Sequence, residues 1–154
     1  MNQKTVIFNL DGTLVKIDKR RELASVNESR FNWAKFLDPE YLVLDEPNVH
    51  VISMFKHLKA AGYRMVIFSG RSERTREATI KHLKSLGVEC DLLQMRPEVV
   101  PYQFMKDYQL KKEWLHKYFP GEKKNNIEFI FENRNRVIDM WREEGLTCFQ
   151  VASG

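Results

Sequence analysis

Residues 5–14 read TVIFNLDGTL. Thr5, Val6, Ile7 and Phe8 are β-branched or aromatic, the residues that suit a pleated, buried surface. Asp11-Gly12-Thr13 is turn chemistry. In open parallel sheets, ligands collect beyond the carboxyl ends of the strands. The run therefore predicts the first strand of an α/β fold, over residues 5–10, with Asn9, Asp11, Gly12 and Thr13 offered at its carboxyl end. A carboxylate at position 9 would face a phosphate as an attacking oxygen. Asn9 holds an amide there instead.

Working outward, strand-like runs alternate with helix-like runs, which predicts a mostly parallel sheet of five strands, Rossmann-like, with helices on both faces. Further strands are expected at YRMVIFS (63–69), DLLQM (91–95), IEFIFE (127–132) and TCFQV (147–151). Their near-continuous apolar character suits strands covered on both sides. Val49, Ile52, Phe55 and Leu58 recur at helical spacing before Gly62. Ile80, Leu83 and Leu86 do so between Ser72, a helix cap, and Gly87, a helix stop. DYQLKKEWLHKYF and RNRVIDMWREEG complete the helices, the latter burying Val137, Ile138 and Trp141. Residues 15–47 run polar and charged, with FNWAKFL (31–37) as one short amphipathic piece. They are expected to form a flap, a minimal cap insertion at the mouth of the site, within a single domain over 1–154.

Composition narrows the class. The chain has 154 residues, 43% hydrophobic and 30% charged, enough to bury roughly 68–70% of the unfolded surface without a staple. No apolar run approaches the ~20 residues of a membrane span. MNQKTVIF lacks the charged-then-apolar layout of a secretory signal, so a cytoplasmic location is expected. Cys90 and Cys148 lack metal or redox spacing and are expected as reduced core thiols. His50, His57, His82 and His116 show no metal-ligand spacing either. A formal net charge of +4 leans towards a polyanionic partner.

The polar residues after each strand should gather at one edge. After the first come Asn9, Asp11, Gly12 and Thr13; after the second, Ser69, Gly70 and Arg71; after the fourth, Glu132 and Asn133. Lys111 lies on a helix from which a lysine reaches the same rim. Such a set suits phosphoryl transfer. A carboxylate can attack phosphorus to form an aspartyl-phosphate, and a hard cation such as Mg²⁺, held by a few oxygens, neutralises charge there. Backbone N–H groups, Ser69 and a lysine would hold the phosphoryl oxygens.

VIFNLDGTL, VIFSGR, a downstream lysine and FIFENR resemble the four motifs of haloacid-dehalogenase-like phosphatases. Across the whole chain, RFNWAKFL, DEPNVHVI, FSGRSERTREAT, LLQMRPE and VIDMWREEGLTCFQVASG resemble the phosphatase half of bacteriophage polynucleotide kinase/phosphatases. The resemblance implies removal of a 3′-phosphate from DNA or RNA ends with Mg²⁺, in a phage-infected cytoplasm. It puts Asn9 at the nucleophile and Asp11 at the general acid/base. Ser69 and Lys111 fall at the phosphoryl-binding positions, with Lys106 and Lys112 as other candidates for the lysine. Gly12, Thr13, Gly70 and Arg71 line the substrate side. Asn9, Asp11, Glu132 and Asn133 face the metal. No G-x-x-x-x-G-K-[ST] kinase loop occurs in the sequence.

Three positions and one segment depart from the family pattern. Glu132 and Asn133 stand where two adjacent aspartates are usual, and residues 98–107 differ throughout. Asn9 decides most, because an amide oxygen is an uncharged, poor nucleophile, so turnover as written is not expected. A change made to trap a ligand and a natural pseudo-phosphatase both account for it. The functional alternatives are a non-catalytic module binding phosphorylated nucleic-acid ends or nucleotides, and a small-molecule nucleotidase. Arg71, Arg74, Arg76 and Lys81, with Arg134, Arg136 and Arg142, are either a basic rim or helix surface balanced by Glu73, Glu77, Glu143 and Glu144. Phe31 or Trp33 could stack a nucleobase, or simply pack the flap.

Overall fold

A computed structural model describes residues 3–27 and 30–154. Its main sheet has five parallel strands: β1 (Thr5–Phe8), β2 (Arg64–Ser72), β3 (Leu92–Arg96), β4 (Ile127–Glu132) and β5 (Cys148–Gln150). They lie side by side in the order β3-β2-β1-β4-β5. The direction of winding reverses beside β1, between β2 and β4. That switch point opens a crevice at the carboxyl ends of β1 and β4.

Among the described residues, six α-helices accompany the sheet: α1 (Asp18–Ala24), α2 (Trp33–Phe36), α3 (Val49–Ala60), α4 (Arg76–Ser85), α5 (Asp107–Tyr118) and α6 (Asn135–Glu143). Strand side chains alternate between faces, and both faces are buried. Val6 and Phe8 join Met65 and Ile67 under Ile52 and Phe55 of α3 and Leu83 of α4. Ile7, Val66 and Phe68 face the other way, against Leu110 and Trp114 of α5 and Val137, Ile138 and Trp141 of α6. Each fully buried aliphatic or aromatic side chain of this kind contributes roughly 1.5–3 kcal/mol. Phe8 stacks on Phe131 at 4.5 Å and meets Phe55 edge-on at 5.1 Å, tying β1 to β4 and α3.

Several boundaries differ from the sequence expectation. β1 ends at Phe8, so Asn9 and Leu10 already belong to the turn. β2 continues to Ser72, so Gly70 and Arg71 lie in the strand rather than after it. Ser72 caps a short 3₁₀ turn, Glu73–Thr75, by accepting from Arg74 N, and α4 starts only at Arg76. Two inward positions are also shifted. Val49 is exposed and Val51 takes its place. Ile80 is exposed while Thr79 is buried, because the Thr79 hydroxyl accepts from Arg71 Nη1 at 3.0 Å. An inward polar anchor turns the helix away from its apolar phase. Both cysteines are free thiols; burial pushes that of Cys148 up to about 12.

The described residues of the 15–47 excursion fold back towards Asp11 and Arg71. Val15–Lys16 pairs antiparallel with Glu46–Pro47 and closes the base of the excursion. Between them lie α1, α2 and a 3₁₀ segment, Pro39–Leu44, capped by Asp38. Asn32 caps α2 through its side chain, accepting from Lys35 N at 3.0 Å. Phe31, Trp33 and Phe36 pack edge-on with centroids 4.7–5.9 Å apart. Trp33 nonetheless keeps most of its surface exposed. Among the described residues, no helix is long and apolar enough to cross a membrane.

Candidate active site

The crevice at the switch point is built by Asn9. Its backbone N–H continues the sheet, donating to Phe131 O at 2.9 Å, and this fixes the side chain between β1 and β4. The amide works in two directions. Asn9 Oδ1 accepts from Lys111 Nζ at 2.9 Å. Asn9 Nδ2 donates to the Asp11 carbonyl at 2.9 Å and lies 2.8 Å from the Asn133 side-chain amide. Thr13 Oγ1 closes the group, 3.4 Å from Asn9 Nδ2. Gly12 adopts φ +81°, a conformation natural to glycine, and a Cβ there would collide with the Asn133 side chain.

Lys111 reaches this group from α5 across the sheet edge and is almost fully buried, as is Glu132. Lys111 Nζ donates to Glu132 Oε2 at 2.9 Å. The other carboxylate oxygen, Oε1, accepts from the backbone N–H groups of Asn133 and Arg134 at 3.1 and 3.3 Å. Glu132 therefore balances Lys111 and shapes the turn into α6. Both of its carboxylate oxygens, expected from the motif to face a metal, are engaged by Lys111 and by these backbone groups.

A second assembly lies between the crevice and the flap. Arg71 leaves β2 and turns inward, with Nε and Nη2 donating to Asp11 Oδ1 at 2.9 and 2.7 Å and Nη2 to Asp45 Oδ2 at 2.7 Å. Arg20 of α1 meets the same two acids, from Nη2 to Asp11 Oδ1 at 3.1 Å and from Nε to Asp45 Oδ1 at 3.1 Å. It also donates to Phe36 O at 3.1 Å and lies over the Phe36 ring, 4.4 Å from its centre. Burial works to raise the Asp11 pKa, but the Arg71 and Arg20 guanidinium groups outweigh it and hold the carboxyl below the usual carboxylate range. Deeper in, Asp45 is pushed up to about 6 by burial and by the Asp11 charge, against the pull of the arginines.

Of the residues expected at one edge, Asn9, the Asp11 carbonyl, Thr13, Lys111, Glu132 and Asn133 are joined by hydrogen bonds around the crevice. Ser69 is buried, and its Oγ accepts from Arg71 N at 3.1 Å. Arg71 itself is directed at Asp11 and Asp45 rather than into the crevice. Arg20 and Asp45 were missed by sequence reasoning. Each lies in a run of charges, DKRRE and LDEP, with no periodicity to single it out. The basic residues do not make an open rim as a group: Arg76 pairs with Glu73 and Arg74 with Glu98. Arg136 covers Tyr108, and Arg142 donates to Cys148 O.

The crevice offers a cation only neutral oxygens, from the Asn9 and Asn133 amides, the Asp11 carbonyl and the Thr13 hydroxyl. The neighbouring carboxylates are turned to Arg20, Arg71 and Lys111. Among the described residues, no three His, Cys, Asp or Glu side chains form a metal-binding group. Mg²⁺ is ordinarily held through one or two carboxylates. As the chain stands, the donor set does not fit a firmly held Mg²⁺; an aspartate at position 9 would supply the missing charge.

On the outer side, Arg96 Nε donates to Gly70 O at 3.1 Å and Arg96 Nη2 meets Asp107 Oδ1 at 2.5 Å. Asp107 also pairs with Arg134. A Cβ on Gly70 would sit 2.6 Å from Asp107 Oδ1, so the glycine admits the carboxylate that links β3, α5 and the turn after β4.

Residues 3–154 match the family model of the polynucleotide kinase PNKP phosphatase domain. Two structures of the Pnkp1/Rnl/Hen1 RNA repair complex contain a similar chain. In one it is 32% identical, with a TM-score of 0.78, over 100% of this chain and 45% of that one. In the other it is 34% identical, with a TM-score of 0.77, over 98% and 46%. The chain thus spans less than half the length of these relatives. A phosphoserine phosphatase in apo form, 19% identical over 96% of this chain and 86% of that one, with a TM-score of 0.56, shares the fold. The crevice, the parallel sheet that frames it and the match across nearly the whole chain lead to one assignment: this chain belongs to the phosphatase-domain family of polynucleotide kinase/phosphatases, with the haloacid-dehalogenase-like fold.

Proposed function

We propose that the chain recognises the terminal 3′-phosphate of a DNA or RNA strand in the cradle of a phosphomonoesterase, and that Asn9 holds it at the binding stage. The observation that carries this reading is the two-sided engagement of Asn9. Its Oδ1 faces Lys111, and its Nδ2 faces the Asp11 carbonyl and Asn133. The residue stands where an attacking carboxylate would stand and is hydrogen-bonded as a neutral amide. Its oxygen lone pairs are delocalised into the C–N bond, so no aspartyl-phosphate forms.

Asp11 is held ionised by Arg71 and Arg20 in the free chain, where it stands as a proton acceptor beside the crevice. The binding groups that remain are Lys111 and the Ser69 hydroxyl. An aspartate in place of Asn9 would add the charge that completes a Mg²⁺ site and would restore the nucleophile.

The test is Asn9→Asp, assayed on 3′-phosphorylated oligonucleotides with Mg²⁺. We expect phosphate release by the variant well above the parent, and less from 3′-mononucleotides than from oligonucleotides. Release from mononucleotides alone would make it a small-molecule nucleotidase. A second reading, a purely non-catalytic module, is favoured by one observation: Glu132 is already committed to Lys111 and two backbone N–H groups. An Asn9→Asp variant that binds ends yet releases nothing would support that reading and contradict the first.

A further inference from the structure

Phe104 is 78% exposed, more than any other large hydrophobic residue among those described. It belongs to the short 3₁₀ turn Tyr102–Phe104, between β3 and α5. Its neighbours in the turn are not loose. Tyr102 and Met105 pack against the core cluster beneath α5 and α6. The carbonyls of both accept from Arg96 Nη1, at 2.7 and 2.5 Å, and Arg96 in turn holds Gly70 O, one residue beyond Ser69. One half-buried guanidinium therefore ties the turn to the wall of the crevice, and Phe104 is the side chain this turn holds out into water.

We propose that Phe104 is a stacking platform for a nucleobase of a single strand whose terminal phosphate lies in the crevice. The proposal rests on the phosphate-end reading above and names the part of the ligand beyond the phosphate. Nothing in the core needs a ring at this position. Val99 and Val100 on the same loop are also exposed, so the apolar surface of this loop is not confined to one ring. Cationic groups flank it: Lys106 is exposed, and Arg134 keeps more than half of its side chain in solvent while anchored on Asp107. An aromatic face beside cations is the pairing that single-stranded nucleic acid uses, bases on the ring and phosphates on the charges. A protein partner would use the apolar loop without needing the cations.

The test uses the full chain and single-stranded 3′-phosphorylated oligonucleotides whose terminal base is either 2-aminopurine or removed to leave an abasic residue. Phe104→Ala, at a solvent-exposed position, should weaken binding of the base-bearing strand roughly 5- to 100-fold and leave the abasic strand unchanged. Phe104→Trp should keep the parent affinity. Quenching of 2-aminopurine fluorescence on binding should be lost in Phe104→Ala only. Equal affinity of parent and Phe104→Ala for the base-bearing strand would overturn the proposal while the phosphate-end reading stands. Failure of the parent to bind either strand would overturn both.

Discussion

Asn9 and Lys111 are joined through a chain of hydrogen bonds whose far end is Glu132, and all three side chains are nearly free of solvent. At this scale the crevice is a charge balance. Lys111 and Glu132 neutralise one another, and Asn9 adds no charge where an aspartate would. Removing one member of a buried pair leaves the other charge unpaired, at a cost of about 3–5 kcal/mol. We therefore expect Lys111→Met to lower unfolding free energy by about that much in urea titrations. Lys111→Met with Glu132→Gln should recover part of the loss. A Lys111→Met protein as stable as the parent would mean that the pair is not held as described. Asn9→Asp belongs to the same balance, since it restores the negative charge that the crevice lacks.

At the scale of elements, the flap is fastened by charge as well as by apolar contact, in which Val15, Ile17 and Phe36 join the core. α1 brings Arg20 and the end of the 3₁₀ segment brings Asp45, and both meet Asp11 and Arg71 from the sheet. The two carboxyls titrate apart. Asp11 is lowered, so its contribution is present above the ordinary carboxyl value of 3.8 and is lost as pH falls through its lower folded value. Asp45 is raised to about 6, so between 3.8 and about 6 the folded state binds more protons at this group than the unfolded chain. Its contribution to stability therefore falls as pH rises through that window. Asp45→Asn should flatten the parent's loss of thermal stability between about pH 4 and pH 6, read from melting temperatures across that range. An unchanged slope would contradict the raised value.

This assembly is also where the sequence was least legible. The strands could be read because burial on both faces leaves continuous apolar runs, as in TVIF and IEFIFE. Asn9, Asp11, Ser69 and Asn133 could be read because each stands in a short motif at or near a strand end. Arg20 and Asp45 are set by a contact 25 residues apart between two charged runs, and local spacing carries no trace of it. Another contact of the same assembly explains the misphased Ile80, since Thr79 points inward to meet Arg71.

For the molecule as a whole, the winding order β3-β2-β1-β4-β5 puts the ends of β1, β2 and β4 on one edge, and α5 adds Lys111 from the opposite layer. Both faces of the sheet that frames this cleft are packed. On the proposed function, the formal net charge of +4 would add a long-range attraction for nucleic acid that ordinary salt screens, supplying encounter rather than selectivity. Selectivity for an end must come from the crevice. The most direct measurement is the affinity of the unmodified chain for one oligonucleotide carrying either a 3′-phosphate or a 3′-hydroxyl, compared at fixed salt by fluorescence anisotropy. Hydrogen bonds to a charged group contribute about 1.5–3 kcal/mol each, so the account predicts at least about tenfold tighter binding of the phosphorylated strand, with no phosphate released. Equal affinity for the two ends would contradict it.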